Sequence, residues 1–297
     1  MAQIRARLLV GILKLVVKRQ MMGTPDVRRI RKAFDVALFG APHGISVTPA
    51  LVGGVRGEWL QGRTPGPVTL LYVHGGAFVA CSPRTHRAAT GGLAKRGFRV
   101  FAVDYRLAPE HRFPAGLDDV AAAYRGLIET GVSPGQLVLA GESAGGNLVL
   151  SLLHRLREAG LPLPAAVAAW SPVTDLTGQS RSFETNAEKD AMLDGRRIGH
   201  VSDLYLPSGT DVRTPQISPV FGDYAGMPPI LVHVGADEVL RDDGIRVAEK
   251  ARQDGAETVL KVWPVVPHAW QLFPILPEAG RSIDETASFL LRHAAGG

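Results

Sequence analysis

Cysteine is almost absent from this chain of 297 residues, in which Cys81 is the only one. A single cysteine excludes an intramolecular disulfide and agrees with a reducing compartment, so we expect a cytoplasmic protein. We interpret Cys81 as a small, partly buried residue rather than a nucleophile.

Blocks of like charge are also missing, because the 33 basic residues behind the net charge of +5 are spread along the chain. The sequence therefore does not indicate a nucleic-acid-binding protein.

Metal-binding patterns are missing as well. No CxxC or HExxH pair occurs, and the nine histidines do not cluster at the spacing of metal ligands. The sequence gives no indication of a metal site.

The N-terminal segment IRARLLVGILKLVVKRQ is apolar but too short to span a bilayer, which takes about 20 apolar residues. Lys14 interrupts the run, and no small-residue cleavage site follows, so we do not interpret it as a signal peptide. Its apolar side chains share one helical face: Ile4, Leu8, Ile12, Leu15 and Val16. We expect an amphipathic helix that packs on the protein through this face. A helix lying on a membrane surface is the alternative.

After an N-terminal helical region of roughly residues 1–40, apolar runs alternate with amphipathic helical patterns, which is typical of an α/β sheet covered on both faces. The predicted strands are 68–74, 98–106, 136–141, 165–172, 228–236 and 258–264. Residues 177–226 break the alternation with polar sequence and one predicted helix around 196–205. We expect one domain over 1–297, with a cap formed by about 1–40 and 180–220.

The stretch GESAGG lies between a predicted strand and a predicted helix. In that context G-x-S-x-G predicts a sharp turn that projects the hydroxyl of Ser143. Gly141 and Gly145 give the turn room. The N–H of Ala144 opens the helix and points where an oxyanion would form.

A serine nucleophile needs a base, and the base needs an orienting acid. Among the downstream histidines only His268 follows the last strand on a loop, whereas His233 lies inside a strand as a core residue. For the acid we select Asp237, which directly follows the preceding strand, and keep Glu238 as its main rival. Asp242 and Asp243 look like solvated helix charges.

The segment YVHGGAF follows the first central strand and contains two glycines. Such a loop turns backbone N–H groups towards the site with no side chain in the way.

These motifs resemble those of the hormone-sensitive-lipase family, the bacterial group IV esterases of the α/β-hydrolase fold. The likeness extends over about residues 50–290. The segments that carry it are HGGAF, DYRLAPEHRFPAGLDD, GESAGGNL, WSPVTDL, DEVLRDDG and PHAWQLF. Two of the departures are Ala77, where the family has a third glycine, and Glu142, where aspartate is commoner. We expect Glu142 to be structurally neutral. Ala269 and Trp270 depart from the family's HGF.

The resemblance implies that Ser143 is the nucleophile, His268 the base and Asp237 its orienting acid. It implies an oxyanion hole with donors on Gly76, Ala77 and Ala144, in a loop that Gly75 helps to shape. The same resemblance implies the cap formed by about 1–40 and 180–220.

The expected function is a serine carboxylesterase that hydrolyses short- to medium-chain esters. These groups account for the chemistry, so no metal or organic cofactor is expected. The alternatives are a lactonase or amidase using the same triad, and a ligand-binding protein without catalysis. The expected partners are a small-molecule ester and a second subunit paired along TVLKVWP.

Overall fold

A single mixed sheet forms the centre of the molecule in the computed structural model, which describes residues 2–18 and 27–294. Its order is β1-β2-β4-β3-β5-β6-β7-β8, with β3 to β8 parallel and β1 and β2 antiparallel. The strands are β1 Ser46–Val52, β2 Val55–Gln61, β3 Thr69–Val73, β4 Arg99–Val103, β5 Leu137–Glu142, β6 Ala166–Trp170, β7 Ile230–Gly235 and β8 Thr258–Trp263.

The central strands are buried on both faces, as their continuous apolar sequence predicts. In β3, Leu71 and Val73 pack in one core cluster while Leu70 and Tyr72 pack in a second cluster across the sheet. All six parallel strands predicted from the sequence are present. The two antiparallel strands β1 and β2 were not predicted, because their half-exposed pattern lacks an apolar run.

The described residues form nine α-helices. They are α1 Ala2–Leu13, α2 Val27–Phe34, α3 Arg87–Ala94, α4 Ala115–Glu129, α5 Ala144–Glu158, α6 Ser182–Thr185, α7 Ile198–Tyr205, α8 Arg241–Gln253 and α9 Pro277–Ala294. Helices α4, α5 and α8 cover one face of the sheet, and α3 and α9 cover the other. The α/β architecture expected from the sequence is thus confirmed.

Helix α1, continued by a π-helical turn over Lys14–Lys18, packs on the protein through the face opposite to the one predicted. Ala6 and Leu13 are buried against a cluster that contains Met192 and Trp270. The predicted packing face is exposed instead, with exposures between 52% and 73% for Ile4, Leu8, Ile12, Leu15 and Val16. The helix is apolar on both sides, so its sequence does not decide which side packs.

No helix in the described part of the chain is both long enough and apolar enough to cross a membrane. The described residues between β6 and β7 include no strand, and α7 lies where the sequence predicts a helix.

Candidate active site

Ser143 lies between the end of β5 and the start of α5, the strand–turn–helix context predicted for it. Its backbone has φ 56° and ψ −120°, a conformation that L-residues rarely adopt and that costs free energy. The Ser143 N–H donates to the carbonyl of Trp170 at 2.9 Å, and its carbonyl accepts from the N–H of Asn147 at 3.0 Å. These bonds hold the strained turn and leave the half-buried hydroxyl facing a cavity.

The glycine after the turn allows α5 to begin directly against β3. A Cβ on Gly145 would collide with the carbonyl oxygens of Val73 and His74. Any other residue would therefore push the helix away from the strand and move Ser143.

His268 lies on the loop after β8, where Nδ1 is 2.7 Å from Oε2 of Glu238. Glu238 follows β7 and is 1% exposed. Its other oxygen accepts hydrogen bonds from the Gly235 N–H at 2.6 Å and the Ser171 hydroxyl at 2.8 Å. The carboxylate is thus fixed from three directions, and it fixes the imidazole in turn.

This arrangement corrects the prediction that Asp237 is the acidic partner of His268. The Asp237 side chain is exposed, while Glu238, the rival weighed from the sequence, makes the contact. The turn that follows β7 is held by Asn186, whose side-chain amide donates to the carbonyls of Ala236 and Glu238 at 3.1 and 2.9 Å. In the turn fixed in this way, Glu238 is directed inward and Asp237 outward.

The charge of Glu238 governs the protonation of His268. Burial by itself lowers the pKa of His268, but the hydrogen bond to Glu238 and its negative charge outweigh burial and raise it overall. The more distant carboxylates of Asp190 and Glu142 act in the same direction. An imidazole with a raised pKa, held through Nδ1, is well suited to accept a proton on its other nitrogen.

The loop that follows β3 borders the same cavity through Gly76 and Ala77. Gly76 has φ 107°, and a Cβ there would collide with the carbonyl of Ala80. Ala77 has φ 55°, so the alanine occupies a left-handed conformation that glycine would adopt more easily. The N–H of Gly75 is already used, because it donates to Glu142. Gly75 therefore shapes this loop, while the buried Ala144 begins α5 beside it.

Glutamate at position 142 was expected to have no structural effect in place of aspartate. Glu142 is instead the centre of a buried hydrogen-bond network. Its carboxylate accepts from the Tyr72 hydroxyl at 2.6 Å and from the Gly75 N–H, and it pairs with Nε2 of His86 at 2.7 Å. Burial disfavours both charges, yet the mutual attraction lowers the pKa of Glu142 and raises that of His86 overall. His86 is not among the residues predicted for the site, because no signal in the single sequence links it to Glu142.

The remaining candidates have structural roles. His233 is buried with Nδ1 at 2.9 Å from the Ser282 hydroxyl, and burial lowers its pKa to about 3. Asp243, expected to be solvated, is buried and accepts the N–H groups of Thr174 and Asp175 at 2.6 and 3.0 Å. Burial raises the pKa of the half-buried Cys81 thiol.

The predicted nucleophile, its base and the glycine loop after β3 border a cavity of about 640 Å³. Ser143, Gly76, Ala77 and His268 all line it, as does Ala269 next to the histidine. The rest of the wall is mostly apolar and comes from α1, α2, α7 and the segments 36–39 and 192–195. The site is therefore an apolar pocket with a few polar groups on its floor, the usual form of a small-molecule site.

Known proteins share the fold and much of the sequence of this chain. A family model described as the alpha/beta hydrolase fold matches residues 70–272. An acetyl-hydrolase of Streptomyces hygroscopicus is 40% identical over 281 residues, which cover 92% of each chain. An esterase of Acinetobacter venetianus is 35% identical and covers 85% of this chain and 84% of its own. By fold and by sequence, the protein is an α/β-hydrolase.

Solved structures narrow the class. A crystal structure of an esterase from the bacterial hormone-sensitive lipase family superposes with a TM-score of 0.91 at 36% identity, covering 97% of this chain and 98% of the other. Another, the crystal structure of EstE5, has a TM-score of 0.91 at 37% identity, covering 98% and 99%. The chain belongs to the bacterial hormone-sensitive-lipase family of esterases.

Proposed function

We propose that the protein is a serine carboxylesterase that hydrolyses short- to medium-chain esters through Ser143, His268 and Glu238. The observation that carries this proposal is the His268–Glu238 pair at 2.7 Å, because its imidazole lines one cavity with a serine in a strained strand-to-helix turn. The exposed position of the Asp237 side chain supports Glu238 rather than Asp237 as the acid. The esterase names of its relatives support the same class of substrate.

In the proposed reaction, the Ser143 hydroxyl attacks the ester carbonyl while Nε2 of His268 accepts its proton. The negative charge on the carbonyl oxygen is bound by the N–H groups of Gly76, Ala77 and Ala144, each worth about 10²–10³ in rate. His268 then protonates the leaving alcohol. A water molecule repeats the sequence on the acyl-enzyme and releases the acid.

The cavity supports an acyl group of short to medium length. Its volume of about 640 Å³ and its apolar wall suit an alkyl chain. We propose that about 1–40 and 180–220 act as the cap over this pocket, because described residues from both segments line it.

The direct test replaces Ser143 by alanine. Since the hydroxyl forms the covalent bond, Ser143→Ala is expected to reduce kcat by on the order of 10⁶ with p-nitrophenyl esters. Ser133→Ala, a change at an exposed serine before β5, serves as the matched control and keeps full activity. Wild-type activity in Ser143→Ala would overturn the proposal.

A substrate panel separates the ester proposal from its alternatives. We expect p-nitrophenyl butyrate to be turned over faster than a lactone or an anilide, with a burst that equals the enzyme concentration. Preferred turnover of lactones or anilides would instead assign a lactonase or amidase, and binding without any burst would assign a non-catalytic protein.

The edge strand β8 supports a homodimer. It ends the sheet, and Val259 and Val262 are 43% and 40% exposed on it. Light scattering coupled to size exclusion is expected to give twice the monomer mass, and a charged substitution such as Val259→Glu is expected to return the monomer.

A further inference from the structure

The exposed face of α1, together with that of the π-helical turn that continues it, is a row of large apolar side chains with no described residues packed over it. The row comprises Ile4, Leu8, Ile12, Leu15 and Val16, which we call the N-terminal apolar face. All five side chains are more than 50% exposed and belong to one helical segment, so together they form a contiguous apolar surface. Surfaces of this kind mark sites of interaction with another molecule or with lipid.

The N-terminal apolar face continues to the mouth of the catalytic cavity. Ile12 and Val16 line that cavity although more than half of each side chain is exposed. Val36, Leu38 and Ile275 share both properties, with exposures of 53%, 64% and 52%. The mouth is therefore bordered by apolar side chains that belong to the same outer surface.

Positive charge borders this surface. With 100° between successive residues of α1, Arg5 and Arg7 lie on opposite sides of the row formed by Ile4 and Leu8. Both arginines are exposed, as are Arg29 and Lys32, which line the cavity. Residues 2–18 and 27–34 contain no acidic side chain.

The two lysines within residues 2–18 bind backbone carbonyls of the protein instead. Lys14 donates to the carbonyl of Glu188 at 3.0 Å, and Lys18 donates to the carbonyls of Ala187 and Asp190. In residues 2–18 the two lysines therefore bind the segment to the protein, whereas Arg5 and Arg7 lie along the sides of its outer face. An apolar face with arginines along its sides is the pattern of helices that lie in the interface of an anionic bilayer.

We propose that the N-terminal apolar face docks on an anionic lipid surface and opens the cavity mouth towards esters dissolved in it. The docking stands on the exposed residues alone, whereas the delivery of esters rests on the proposed esterase activity. A second copy of the chain fits this face less well. An isologous contact would bring the basic flanks of two identical helices together and cover the mouth of both cavities.

Co-sedimentation with vesicles tests the docking apart from the chemistry. The full-length Ser143→Ala variant is mixed with vesicles of phosphatidylcholine and phosphatidylglycerol in equal parts, and in parallel with phosphatidylcholine alone. We expect at least about tenfold stronger partitioning to the anionic vesicles, falling at high salt because the flanking charges are screened. Equal partitioning to both vesicle types would overturn the role of the basic flanks.

The apolar contribution is tested by Leu8→Gln/Leu15→Gln, two changes that lie outside the cavity wall. This variant is expected to lose about tenfold or more in partitioning. Leu51→Gln is the matched control, because Leu51 is 69% exposed in β1, at the far edge of the sheet. It is expected to bind vesicles as the parent does. Circular dichroism and thermal unfolding establish that each variant is folded.

With Ser143 restored, the double variant is expected to keep its kcat/KM on a water-soluble short ester and to lose activity only on an ester held in anionic vesicles. Partitioning unchanged by the double variant would overturn the proposal. So would sedimentation velocity showing a dimer that Leu8→Gln/Leu15→Gln dissociates and Leu51→Gln does not, since the face would then bind a second copy. Absence of esterase activity with vesicle binding intact would remove only the ester delivery.

Discussion

Two buried histidine–glutamate pairs lie beside Ser143, and their carboxylates make nearly the same bonds. Glu238 accepts from a backbone N–H, a serine hydroxyl and His268 at 2.7 Å. Glu142 accepts from a backbone N–H, a tyrosine hydroxyl and His86, also at 2.7 Å. Both glutamates are 1% exposed. The pairs differ at the second nitrogen of each imidazole.

The second nitrogen of His86 is occupied, because Nδ1 lies 2.8 Å from the Thr85 hydroxyl and 3.2 Å from the Ser82 carbonyl. Of the two ring nitrogens of His268, only Nδ1 has a hydrogen-bond partner among the described residues. His86 is therefore fixed at both ends, while His268 is fixed at one end and turned to the cavity with the other. We infer that one pair holds the site and the other moves protons.

The largest effect expected from this comparison follows removal of the charge on Glu238. Glu238→Gln keeps the size of the side chain but no longer favours the imidazolium that forms during the reaction, so kcat should fall by about 10³–10⁴. Steady-state kinetics with a soluble p-nitrophenyl ester measure it. Asp237→Asn is the matched control and should change kcat by less than about twofold, since its side chain is exposed. The reverse ranking would restore Asp237 as the acid.

A smaller effect is expected at the fixed pair. Glu142→Gln weakens the attachment of the Gly75 loop and unpairs His86, so we expect kcat to fall by about 10–100-fold with little change in KM. Glu58→Gln is the control, because Glu58 is also buried and paired with Arg87 at 2.6 Å but does not line the cavity. It should lower the melting temperature and leave kcat unchanged. Equal kcat in wild type and Glu142→Gln would contradict a positioning role.

The smallest effect is expected in the pH profile. In the proposed reaction His268 accepts a proton, which it can do only when it is neutral. Its pKa is raised above 6.5, so kcat/KM should rise with pH through a value above 6.5. In Glu238→Gln the negative charge that raises the pKa of His268 is lost, while burial still lowers that pKa. The rising limb of the profile should therefore move to lower pH. In Glu142→Gln the limb should move the same way by less, because that charge acts on His268 from farther away. Profiles from about pH 5 to 9 measure both shifts. An unmoved limb in Glu238→Gln would show that another group controls it.

The sequence predicted the parts of the site that depend on the chain's local order. Ser143 follows a buried strand and opens a helix, and His268 follows the last strand, so the sheet brings both to one edge. The choice between Asp237 and Glu238 depends on the direction of one side chain in a turn. That direction is set by Asn186, about 50 residues earlier in the chain, which no local pattern reveals.

Helix α1 shows a different limit. Ile4, Leu8 and Leu15 form an apolar row, but Ala6 and Leu13 on the opposite side are apolar as well. The buried side is decided by the shape of the surface around Met192 and Trp270. Periodicity predicts that a helix forms here and leaves open which side it buries.

The bond between Glu142 and the Gly75 N–H has a mechanical consequence. Glu142 is joined by a peptide bond to Ser143, so the serine and the glycine loop are parts of one rigid body anchored in β5. His268 and Glu238 arrive on the loops after β8 and β7 and form a second body. Motion of one body relative to the other should therefore change the separation of Ser143 and His268, which line the same cavity.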